Sequence, residues 1–192
     1  MIAKGHDFKK VSLVVILNID SQLISTDVRA RERAFATMMQ VSGRAGRAGL
    51  KSEVLVETAF PDDEIFTFLS HQDYQGFADQ MLKIRKRDGA PPFVYQALLT
   101  SEQKELSQAL ALLNHAVEAG LEIQSKLPDG GGVAIYDPVP MTIVKVANRN
   151  RAQLLVEGRT HRELLQFLRA WVQVIGPCSG GPLTLEVDPQ RY

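Results

Sequence analysis

Cysteine occurs once in the 192 residues, at Cys178, so the chain can form neither an internal disulfide nor a cysteine-rich zinc site, and it suits a reducing cytosol. Long apolar runs are also lacking. The longest, Leu13 to Leu17, is far too short to span a bilayer, and Met1 to Lys10 holds no apolar core of the secretory kind. Neither sign of charge is in excess: 22 Lys and Arg balance 22 Asp and Glu. Any phosphate binding must therefore come from local clusters and not from the field of the whole chain. A fourth absence concerns chemistry. No Gly-x-x-x-x-Gly-Lys-[Ser/Thr] loop occurs; the glycines at 130 to 132 run into Val133-Ala134, with no lysine to reach a phosphate. What remains, 45% hydrophobic and 23% charged, is ordinary for a globular protein with one good core or two small ones.

The first organised unit reads as strand, helix, strand. Val11 to Leu17 is a continuous apolar run of the kind buried on both faces of a parallel sheet, and Asn18-Ile19-Asp20 lies at its carboxyl end, where open α/β sheets place ligands. Thr26 to Met39 has helical spacing, with Thr26 or Asp27 available as cap and Ala30, Ala34, Phe35 and Met38 as apolar face. Ser52 to Glu57 resumes a strand. Such a βαβ unit is too small to be a whole doubly wound domain. Between helix and second strand stands Gln40-Val41-Ser42-Gly43-Arg44-Ala45-Gly46-Arg47-Ala48-Gly49. Its two arginines are permanently charged, planar and matched to phosphate oxygens, and the small residues around them permit close approach.

The series Met1-Ile2-Ala3-Lys4-Gly5-His6-Asp7-Phe8, Asp20, Asp27-Val28-Arg29-Ala30-Arg31-Glu32-Arg33 and Gln40 to Arg47 resembles the PriA family, the superfamily 2 DNA helicases of replication restart also called primosomal protein N′. The first stretch resembles helicase motif V and the last motif VI; Val28 departs from the aromatic residue usual there. The resemblance implies a partial RecA-like second lobe at residues 1–60. It makes Arg47 the arginine finger and Arg44 a second phosphate contact. Gln40, Gly43 and Asp20 would lie near the nucleotide, and Lys4, Gly5 and His6 at single-stranded DNA. ATP with magnesium is then a cofactor completed by another lobe, since phosphoryl transfer needs a phosphate-cradling loop as well as cations. Zinc belongs to the longer family members and not to this chain. The expectation is a fragment beginning at motif V, bacterial and cytoplasmic, that hydrolyses no ATP alone.

Beyond Glu57, Pro61 to Leu69 and Asp73 to Arg87 read as helices, the second ending in Lys83, Arg85, Lys86 and Arg87; a dipole-complementing helix end is the simpler reading, a DNA patch the other. Residues 61–90 form this helical connector, broken by Gly89-Ala90-Pro91-Pro92. Residues 91–192 read as a strand from Phe93 to Leu99, a helix from Glu102 to Ala119 stopped by Gly120, strands at Val133 to Tyr136, Met141 to Val146 and Arg151 to Gly158, a helix from Arg162 to Ile175 and a strand from Leu183 to Val187. This βαββαβ order is the α+β ferredoxin-like pattern. It also resembles the family's C-terminal domain, through Asp137-Pro138-Val139-Pro140 and Leu185 to Pro189.

That domain reads as a binding unit, because its scattered His115 and His161 assemble no nucleophile and base. Arg149, Arg151, Arg159 and Arg162 are near one another in sequence. The resemblance implies forked or single-stranded DNA, single-stranded DNA-binding protein and other primosome proteins as partners, with no membrane. In the family an arginine and a glutamine one helical turn apart hold the acidic tail of single-stranded DNA-binding protein, and Arg162 and Gln166 have that spacing. Two readings therefore stand: the carboxyl portion of a DNA-dependent ATPase, or a separate binding module.

Overall fold

A computed structural model describes residues 12–25, 27, 29–43, 53–146, 148–176 and 182–189. The chain forms two compact units, Met1–Ile84 and Arg85–Tyr192.

In the first unit, β1 (Leu13–Ile16) pairs in parallel with β2 (Glu53–Val56), and α1 (Asp20–Leu23) and α2 (Ala30–Ser42) fall between them. α3 (Glu64–Ser70) and α4 (Tyr74–Arg87) follow. The core gathers Ile19, Leu23, Ala34, Phe35, Met38, Ile65, Phe77 and Met81, with Phe35 stacked on Phe77 at 4.0 Å. β1 is buried on one face only, against expectation: Val14 is 4% exposed, whereas Leu13 and Val15 are both 51% exposed. Among the described residues the helical cover lies on one side of a two-stranded sheet, so the alternate side chains stay open. α2 also starts later than its apolar spacing suggests. Asp27 turns the chain ahead of the helix, its Oδ1 accepting from the Arg29 amide at 2.9 Å and its carbonyl from the Ala30 amide at 2.9 Å.

Asp63 joins α2 to α3. It caps α3 by accepting from the Ile65 amide at 3.0 Å, and it takes two hydrogen bonds from the Arg31 guanidinium, at 3.0 and 2.6 Å. Burial pushes its carboxyl up, but the Arg31 and Ile65 hydrogen bonds with the Arg31 charge outweigh this and hold it below its ordinary value. A carboxyl lowered by folding adds stability above its unfolded pKa and loses it as pH falls through the folded value. Acidification below about pH 4 should thus weaken the first unit, and Arg31→Met should flatten that acid limb. Asp63→Ala removes cap and pair together and is expected to cost about 1–3 kcal/mol in urea unfolding at neutral pH.

In the second unit β3 (Tyr95–Gln103) leads into α5 (Leu106–Ser125), a short 3₁₀ turn (Pro128–Gly132), β4 (Val133–Ile135), β5 (Val139–Val146), β6 (Arg149–Gly158), α6 (His161–Ile175) and β7 (Leu183–Val187). All sheet pairings are antiparallel, in the order β4-β6-β3-β7. β5 lies along β6 further on, opposite Arg149 to Gln153. β4 and β5 are therefore one strand interrupted by Asp137-Pro138, and the order is that of a ferredoxin-like βαββαβ sheet. Ala152, Leu154 and Val156 point to the two helices and are fully buried; Arg151, Gln153, Leu155 and Glu157 alternate to the other face.

Two expected boundaries move. β3 continues through Ser101 to Gln103, because β6 supplies backbone partners out to the Gln103–Asn150 pair, and α5 starts only at Leu106. Gly120 does not end α5. The helix passes through it for another turn and more, because a side chain there would meet Ile135 Cδ1 at 2.6 Å and Trp171 Nε1 at 3.3 Å. Glycine is present for close packing, not for termination.

Candidate functional site

Lys4, Gly5, His6, Arg44 and Arg47 lie outside the described residues. The structure shows the frame that leads to the two arginines. α2 is anchored by Ala34, Phe35, Met38 and Val41, which are buried, and its last turn exposes Gln40. Gly43 follows at φ −66, a right-handed conformation open to any residue, with its amide bonded to the Met39 carbonyl at 3.0 Å. Asp20 sits after β1, where ligands of α/β sheets collect, and its carboxylate is held by one hydrogen bond on each oxygen: Oδ1 accepts from the Thr58 hydroxyl at 2.6 Å and Oδ2 from the Ala59 amide at 2.8 Å. It ties the chain after β1 to the chain after β2. Of the expected nucleotide-side residues, Gln40 is thus an exposed side chain and Asp20 a carboxylate engaged in structure. The arginines of the α2 segment are also structural, Arg31 on Asp63 and Arg33 on Asp27.

The candidate partner residues stand at the start of α6. Thr160 and Glu163 form a capping box: the Thr160 hydroxyl accepts from the Glu163 amide at 3.2 Å, and Glu163 Oε2 accepts from the Thr160 amide at 3.0 Å. The glycine turn presses against this cap. Gly130, Gly131 and Gly132 take φ of +64, +68 and +66, a left-handed run that L side chains resist, and a Cβ on Gly132 would lie 2.6 Å from the Glu163 carboxylate. Arg159 donates its amide to the Gly132 carbonyl at 3.1 Å, and Gln124 donates to Val133 O at 2.6 Å. The beginning of α6 is in this way fixed to the end of α5. Arg162 and Gln166 project from it, both exposed.

Beside them opens a pocket of about 320 Å³ lined by Leu127, Pro128, Gly131, Gly132, Arg159, Glu163, Gln166 and Phe167. Gln166 was singled out by the family resemblance, to which its spacing from Arg162 conforms; the three glycines are the sequence signal for the pocket. The four arginines clustered in sequence do not share a place. Arg149 and Arg151 stand at one end of β6 and Arg159 and Arg162 beyond the other, about 30 Å apart at ~3.3 Å per strand residue. Arg151 is paired with Glu102 at 2.9 Å. On the same sheet face Glu157 accepts from the Tyr136 hydroxyl at 2.6 Å and from Gln96 Nε2 at 2.6 Å. The hydrogen bond to Glu157, with burial and the Glu157 charge, pushes the Tyr136 phenol up to about 12.

At the end of α4, Arg85 donates to the Pro91 carbonyl at 2.9 Å and Arg87 pairs with Asp88 at 2.7 Å, while Lys83 and Lys86 are exposed. His115 lies near Glu118 on the exposed face of α5, and His161 packs beside Tyr95 at 5.3 Å. Among the described residues, no helix is long and apolar enough to cross a membrane.

Comparison with known proteins agrees with this organisation. Residues 86–190 match the family model described as primosomal protein N C-terminal domain. A Haemophilus influenzae protein named replication restart protein PriA is 38% identical over 191 residues, covering 99% of this chain and 26% of that protein. Proteins of the same name from Synechocystis and Bacillus subtilis are 32% and 30% identical, with 98% and 88% of this chain covered against 22% and 20% of theirs. The chain spans about a quarter of the length of the curated relatives it matches. It belongs to the PriA family, of which it is a C-terminal part.

Proposed function

We propose that this chain is the carboxyl portion of an ATP-dependent 3′-5′ DNA helicase that recognises stalled replication forks and starts primosome assembly in the bacterial cytoplasm. Taken by itself, it binds partners and does not turn over ATP. Family membership supports the first part, since the relatives carry the name replication restart protein. In the complete enzyme Arg47 and Arg44 would stabilise the charge that develops on the transferred phosphoryl group, with Gln40 and Gly43 near the nucleotide. Lys4, Gly5 and His6 would hold the backbone of single-stranded DNA by cation and amide contacts.

The observation that carries the binding role is the start of α6, where a capped helix presents Arg162 and Gln166 beside a pocket of mixed lining, with Leu127, Pro128 and Phe167 next to Arg159 and Glu163. That chemistry suits the acidic tail of single-stranded DNA-binding protein: guanidinium for carboxylate, amide for peptide backbone, pocket for an apolar side chain. The sheet face of Glu102, Glu157 and Glu186, by contrast, is a poor surface for phosphates. Arg162→Ala should weaken binding of a labelled tail peptide several-fold in fluorescence anisotropy, with the unfolding curve unchanged because the side chain is exposed. Unaltered affinity would remove Arg162 from the site.

A further inference from the structure

Of the four described non-glycine residues at positive φ, Asn18, Asn148 and Asp188 are of the short polar kind that tolerates the left-handed region, and Gln72, at φ +54, is not. Gln72 ends α3. Its amide donates to the Leu69 carbonyl at 3.0 Å and the Asp73 amide to the Phe68 carbonyl at 2.9 Å, the pair of bonds that closes a helix on a left-handed residue, where glycine is the usual choice. A glutamine there gives up stability that glycine would keep. Backbone strain of this kind collects at functional sites, and Gln72 lines a pocket of about 550 Å³ within the first unit.

The pocket lies between β2 and α3. Val54 and Val56 of the strand and Phe66 and Leu69 of the helix line it, all four half-buried, and none of its described lining residues is charged. Its hydroxyls spend their hydrogens inside the protein: Ser42 donates to the Met39 carbonyl at 3.0 Å, Thr58 to Asp20 Oδ1 at 2.6 Å and Ser70 to the Thr67 carbonyl at 2.9 Å. Toward a ligand they can only accept. The Gln72 side-chain amide enters no hydrogen bond among the described residues, so it can donate and accept together.

We propose that this pocket binds an uncharged planar heterocycle with an amide-like edge, the chemistry of a free nucleobase. The ring packs on Val54, Val56 and Phe66, and its edge exchanges two hydrogen bonds with the Gln72 amide, as glutamine does with adenine. Further N–H groups of the ring meet the hydroxyl oxygens. The volume is that of a small-molecule site, and with no cation in the described lining an anion would be buried unpaired. This separates the pocket from the nucleotide reading of Arg44 and Arg47, which depends on phosphate.

The test uses the purified full chain and adenine, read by saturation-transfer difference NMR, with benzoate as an anionic ring for comparison. Adenine should bind saturably and benzoate should not. Gln72→Gly should weaken adenine binding about 2- to 10-fold, the worth of a neutral hydrogen bond, while the melting temperature of the first unit rises by about 2–6 °C. Ser70→Trp, at an exposed lining position, should block the pocket and abolish binding. A rise in melting temperature in Gln72→Gly with adenine affinity unchanged would make Gln72 a plain helix cap and overturn the inference. So would equal binding of benzoate, displacement of adenine by an equal concentration of ATP or oligo-deoxyadenylate, an adenine signal that survives Ser70→Trp, or no saturable adenine signal at all.

Discussion

Trp171→Ala should lower the melting temperature of the second unit by roughly 15–30 °C, the largest effect expected of any single truncation in that unit. The indole is completely buried and lies beside Phe167 at 5.5 Å, so its removal opens a large cavity and is expected to cost about 3–5 kcal/mol. A hydrogen bond is lost as well: Trp171 Nε1 donates to the Ala116 carbonyl at 2.7 Å in the middle of α5. The contact exists because Gly120, one turn on, has no side chain. Gly120→Ala gains about 0.8–1 kcal/mol of helix propensity against the shift it forces on the tip of Ile135, so its net effect should be small. Gly120→Leu has no such relief and should unseat the indole. Trp171 is the one tryptophan in the sequence, so its emission reports this core directly in every variant that keeps it. Circular dichroism melts of Trp171→Ala and fluorescence-detected urea curves of the Gly120 pair measure these effects. A Trp171→Ala melt within a few degrees of wild type would show that the indole does not hold α5 to α6.

The elements of the second unit were largely legible in the sequence because its strands alternate and its helices keep their period. Leu164, Phe167, Leu168 and Trp171 define α6 with no help from tertiary structure, and β7 falls at Leu183 to Val187 as read. The misreadings have local causes. Ser101-Glu102-Gln103 looks polar enough to start a helix, but pairing with β6 overrides that preference, as tertiary context often does in strands. Gly120 looks like a stop because glycine is a weak helix former, and only the partner helix reveals its use. β1 shows the opposite failure: its apolar run announced burial on both faces, yet a sequence does not say how many strands stand beside it. Of the site, Arg162 and Gln166 were pointed to by the family resemblance and not by spacing alone, which many pairs on a helix share. The pocket was not, since Leu127, Gly132 and Phe167 meet only through the left-handed glycine turn.

The expected enzymology turns on what surrounds Arg44 and Arg47. Cationic side chains can stabilise a transferring phosphoryl group only where a phosphate-cradling loop and a magnesium site hold it in line. The chain has no Gly-x-x-x-x-Gly-Lys-[Ser/Thr] sequence, and its Asp20 is bound to Thr58 and Ala59. Removing an arginine finger from a complete motor lowers turnover by about 10³–10⁵. With no phosphate-cradling loop in its sequence, this polypeptide should show no turnover above background, whatever its arginines do. The most direct measurement is ATP hydrolysis by the purified chain with magnesium and forked DNA, run beside the Arg47→Ala variant. The account predicts background phosphate release from both. DNA-stimulated release by the wild-type chain that disappears in Arg47→Ala would contradict it, because the chain would then hold a whole ATP site.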